Sequence, residues 1–69
     1  MIGSQWKYFL LKNKYSDKAL TASITNIGEV VTWSINYNDT QLWFWDIHHS
    51  NVLRNKAFPE KVSFLYNVV

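Results

Sequence analysis

The chain reads as a mainly β single domain over residues 1–69. The expected form is a small five-stranded antiparallel meander or a partly closed barrel, SH3-like or OB-like, with one short helix or 3-10 turn before the last strand. Three observations lead there. Apolar and polar residues alternate with period two through most of the chain, the spacing of a half-buried strand. β-branched and aromatic residues fill these runs. Sixty-nine residues leave room for one core, and Cys is absent, so neither a disulfide nor a thiolate-bound zinc supports it.

The first expected strand runs from Trp6 to Lys12. It is apolar on both phases, with Trp6, Tyr8 and Leu10 on one and Phe9 and Leu11 on the other. In the second, Leu20, Ala22 and Ile24 alternate with Thr21, Ser23 and Thr25. In the third, Val31, Trp33, Ile35 and Tyr37 alternate with Thr32, Ser34 and Asn36. The fourth is the aromatic strand Leu42-Trp43-Phe44-Trp45. The last alternates Val62, Phe64, Tyr66 and Val68 with Ser63, Leu65 and Asn67. Only Ser50 to Ala57 breaks the pattern. Ser50 can cap a short helix in which Leu53 and Ala57 share a face, and Pro59 stops it.

Turns set which residues share a face. A two-residue loop Ile27-Gly28 pairs Ile24 with Val31, Ala22 with Trp33 and Leu20 with Ile35, and makes this face the core. The next turn allows two registers. A two-residue loop Asn38-Asp39 pairs Trp33 with Phe44 and Ile35 with Leu42, and turns Trp43 and Trp45 to the other face. A three-residue loop ending at Thr40 pairs Trp33 with Trp45, and leaves Leu42 and Phe44 on the other face. Turn chemistry favours the first and hydrophobic matching the second. In either register the aromatic strand carries large apolar groups on both faces. The second face is covered by the Val52–Ala57 helix, by the far wall of the barrel, or by a partner.

Charge narrows the partner. The formal net charge is +2. Residues 1–18 carry +3, residues 19–53 carry −3 and residues 54–69 carry +2. Lys12, Lys14 and Lys18 form a basic N-terminal segment suited to an acidic protein surface. A homodimer through the aromatic face is the other protein partner to expect. Single-stranded nucleic acid is the second choice. Trp43, Trp45 or Phe44 would stack bases, and Lys7, Lys12, Lys14, Lys18, Arg54 and Lys56 would meet phosphates. Asp46 within the aromatic strand and a single Arg weigh against it.

The residues point away from catalysis. His48 and His49 are neighbours and face opposite sides of a strand, so they do not chelate one ion. Asp46 and His48 share a face, which is too few ligands for a metal site. No nucleophile elbow, phosphate loop or Gly-rich loop is present, and no cofactor is implied. No apolar run approaches the roughly 18 residues of a membrane span. The first residues do not read as a signal peptide, so the cytoplasm is the expected location. Seven Asn, six Lys and five Ile suggest an AT-rich gene and a phage or mobile-element source. The resulting expectation is a non-enzymatic protein-binding module, an inhibitor or adaptor acting on a host protein. Its contact residues would be Trp43, Trp45, Leu42, Phe44, Lys12, Lys14 and Lys18.

Overall fold

The computed structural model describes residues 7–46, 48 and 52–65. These contain five antiparallel strands in two sheets and one 3-10 turn. β1 (Lys18–Ala22) pairs with β2 (Val30–Ser34). β3 (Trp43–Trp45), β4 (Val52–Asn55) and β5 (Ser63–Leu65) make the second sheet in that order. The chain is mainly β, as its alternation implies, but the two sheets do not close into a barrel.

The expected first strand is not continuous. Phe9 exchanges both backbone hydrogen bonds with Trp43, each 2.9 Å, and Lys12 forms a single bridge with Ala19. The segment therefore lies between β1 and β3 and joins the two sheets. This accounts for its apolar residues on both phases. Phe9 lies 6.5 Å from Trp45, while Tyr8 meets Phe44 edge-on at 5.6 Å. Trp6 lies outside the described residues.

The β1–β2 hairpin has a different register from the expected one. Ala22 pairs with Val30, Leu20 with Thr32 and Ala19 with Trp33. The two-residue turn fails because it asks Ile27, a β-branched residue, for positive φ. Ser23 closes a longer loop instead. Its N–H donates to Glu29 O at 2.9 Å, its hydroxyl accepts from Asn26 N–H at 3.0 Å, and Gly28 takes φ 101°. The slip is an odd number of residues, so it turns β2 over. Leu20 and Ala22 stay on the core side, whereas Val31, Trp33 and Ile24 are exposed.

β2 and β3 do not pair, so neither expected register for that turn forms. Residues 35–42 make a loop ending in the 3-10 turn Asp39–Gln41. Gln41 is fully buried and its amide makes four hydrogen bonds. Oε1 accepts from Asn36 N–H at 2.8 Å and Tyr37 N–H at 3.2 Å. Nε2 donates to Ser34 O at 2.8 Å and Thr21 Oγ1 at 3.2 Å. That is the full capacity of a carboxamide.

The expected helix over Ser50–Ala57 is a strand at Val52–Asn55, and Ser50 and Asn51 lie outside the described residues. Asn is a weak helix former. Buried Asn55 uses its side chain locally instead. Oδ1 accepts from Ala57 N–H at 3.0 Å and Phe58 N–H at 3.3 Å, and Nδ2 donates to Thr40 O at 2.8 Å. The 3-10 turn thus falls before β3, not before the last strand. β5 covers the start of the expected last strand, and Tyr66 to Val69 lie outside the described residues.

Ala22, Trp43 and Val62 form the buried centre, packed by Phe9, Leu11, Leu20, Val30, Leu53 and Phe58. The Trp43 indole N–H donates to Leu20 O at 3.1 Å, tying the second sheet to the first. Gln41→Leu removes four hydrogen bonds at once and leaves the buried Thr21 hydroxyl without this partner, so it should cost about 1–3 kcal/mol. Equilibrium urea denaturation measures this, and an unchanged midpoint would refute the role given to Gln41.

Candidate binding surface

Strand pairing builds the surface. Trp45 pairs with Leu53, and Leu53 pairs with Phe64. Paired residues of antiparallel strands point the same way, so Trp45, Leu53 and Phe64 form one row across β3, β4 and β5. Trp45 is 48% exposed and Phe64 is 43% exposed. The next row inward begins with Trp43, which is fully buried and lies 5.9 Å from the Phe64 ring. Trp43 and Trp45 therefore share a face but not an environment. One indole is core, and the other stands at the rim.

The other face of β3 is covered by the chain itself. Phe44 is buried under Tyr8, and Arg54 stands opposite it. Arg54 donates from Nε to Asp46 Oδ2 at 2.7 Å and from Nη1 to Pro59 O at 2.7 Å. The Asp46 side chain is only 10% exposed, so this charge-assisted bond is partly shielded from water. Asp46 also accepts from His48 N–H at 2.8 Å. Lys56 Nζ lies 4.5 Å from the Tyr8 ring centroid and 3.2 Å from Asp39 Oδ1. A shallow groove of about 300 Å³ remains, lined by Phe44, Asp46, His48, Arg54, Pro59 and Glu60.

The expected contact residues thus separate. Trp43 and Phe44 are buried and do not offer a contact surface in the folded chain. Leu42 is half-buried. Trp45 remains, joined by Phe64 and Leu53. Lys12, Lys14 and Lys18 are exposed, but they cluster in the other sheet, around the turn between the first segment and β1. That turn is closed by Asn13 N–H to Lys18 O and Tyr15 N–H to Asn13 Oδ1. Lys12 lies 3.8 Å from Asp17, and Lys14 lies 5.6 Å from the Tyr15 ring.

Lys12 pairs with Ala19 and Ala19 with Trp33, so the basic turn is aligned with Trp33, which is 60% exposed. Trp33 and Val31 were expected in the core. The signal that corrects this is Ser23 placed three residues before Asn26, a hydroxyl-capped loop in place of a tight turn.

Comparison of the chain with protein-family models, with curated proteins and with solved structures gave no match.

The two kinds of indole should separate in a mutational test. Trp43→Ala is expected to cost about 4 kcal/mol, as for a fully buried aromatic. Trp45→Ala, removing a half-exposed ring, should cost about 1 kcal/mol. Chemical denaturation of both variants checks the order, and equal costs would place Trp45 in the core.

Proposed function

We propose that this chain is a small non-enzymatic protein-binding module, an open β unit of the SH3-like or OB-like kind, working in the cytoplasm. The observation that carries this is the row Trp45–Leu53–Phe64, which holds two large rings half in water on a sheet. Such rings on a rigid backbone are what hot spots are made of, because little side-chain entropy is lost when they are covered. Their exposure gives up burial energy of the order of 1 kcal/mol or more per ring in a domain with little to spare. The basic turn Lys12, Lys14 and Lys18 would speed encounter with an acidic protein surface. A phage or mobile-element inhibitor that covers a host enzyme fits this size and composition.

Stacking of single-stranded nucleic acid is supported less. Arg54 is committed to Asp46 and Pro59, and Lys56 to Asp39 and Tyr8. With Lys12 beside Asp17, three of the cations expected to meet phosphate therefore have internal anions or acceptors.

Capture of a protein by the wild-type chain should be lost in Trp45→Ala with Phe64→Ala, with the fold retained by circular dichroism. Lys12→Gln with Lys14→Gln and Lys18→Gln should slow association with the same protein and flatten its salt dependence. Oligo-dT and oligo-U titrated by anisotropy at low salt should show no binding. Retained capture by the aromatic variant, or salt-sensitive oligonucleotide binding, would overturn the reading.

A further inference from the structure

We propose that two copies of this chain join edge to edge along β2, merging their hairpins into one four-stranded antiparallel sheet. This does not depend on the Trp45 row, which lies in the other sheet.

The backbone alternation shows which groups of β2 are open. Leu20 N–H donates to Leu11 O, and Lys18 O accepts from Asn13 N–H, so these residues of β1 aim their backbone away from β2. Ala19 and Thr21 then aim theirs at β2, where they meet Trp33 and Val31. Val30, Thr32 and Ser34 consequently turn their N–H and C=O groups outward. β2 has no ladder partner other than β1 among the described residues. The Ser34 carbonyl already accepts from the buried Gln41 amide, so the open groups centre on Val30 and Thr32.

The strand is its own complement. With a two-fold axis at Thr32, Thr32 meets Thr32 of the second copy, and Val30 meets Ser34. Val31 meets Trp33 on the outer face, twice by symmetry. Both are exposed in the single chain, Val31 at 44% and Trp33 at 60%. An aliphatic side chain opposite an indole is a favourable cross-strand pair. Charge does not oppose this pairing, because a like meeting of two Lys18 or two Glu29 does not occur in this register.

One further fact favours a second copy. Exposed edges are normally blunted by a charge, a Pro or a bulge, and Val30-Val31-Thr32-Trp33-Ser34 carries none of these.

Light scattering on a size-exclusion column, loaded at about 200 μM, well above a micromolar dissociation constant, should report twice the 8.2 kDa chain mass. Thr32→Pro removes an outward N–H that β1 does not use, and should give a folded monomer. Val31→Lys, at an exposed position, should do the same and decides the matter if the Pro variant fails to fold. Amide exchange at Val30 and Thr32 should slow at least about tenfold from dilute to concentrated protein, while Val31 and Trp33 stay unchanged. Trp45→Ala with Phe64→Ala should leave the dimer intact. A wild-type mass of one chain, a dimer that survives Val31→Lys, or a dimer lost with the Trp45 and Phe64 pair would each overturn the proposal.

Discussion

Gln41 has no access to solvent, and its amide has to satisfy four groups at once: a β2 carbonyl, a β1 hydroxyl and two N–H groups of the loop between β2 and β3. That loop holds Tyr37 at φ 60°, a conformation a bulky residue enters at a cost of the order of 1 kcal/mol. The Gln41 carboxamide is what offsets it. The same residue ends the 3-10 turn that delivers Leu42 and Trp43 to the second sheet. With the adjacent Trp43 indole bonded to Leu20 O and Asn55 bonded to Thr40 O, three buried polar groups fasten the chain. None of the buried side-chain polar atoms among the described residues is left without a partner. The apolar centre is small, so the directed bonds decide the arrangement that burial alone would leave open.

The sequence shows its mainly β character and several of its strands through period-two alternation, which is borne out at β1, β2 and β5, while β3 shows as an aromatic run. What it does not show is pairing. Alternation fixes the two faces of a strand but not its neighbour. The segment at Phe9 is apolar on both sides because it sits between two sheets, a reason no local pattern reveals. Val52 to Asn55 reads as a weak helix because Asn55 and Arg54 look like ordinary polar residues until their partners, Thr40 and Asp46, are brought near by the fold. The candidate surface was legible at Trp45. It was obscured at Trp33, where a single turn assignment reversed a whole strand.

Two separate groups of exposed aromatics and charge stand on the two sheets. The three-stranded sheet carries Trp45 and Phe64, with its nearby charges already paired across Asp46, Arg54, Lys56 and Asp39. The hairpin carries Trp33, Val31 and the lysines. A contact on one does not exclude a contact on the other. Two copies joined along β2 would present the Trp45 row in duplicate on one framework, and a second engagement would then be intramolecular, strengthening attachment without any new contact.

The piece of chain that bridges the sheets also sets an order of events. Phe9 finds its backbone partner at Trp43, half the chain further on. During synthesis the joining segment leaves the ribosome before its partner and waits, its rings without a seat, until Trp43 has emerged. Closure of that long loop comes late, and the β1–β2 hairpin has to stand by itself in the interval.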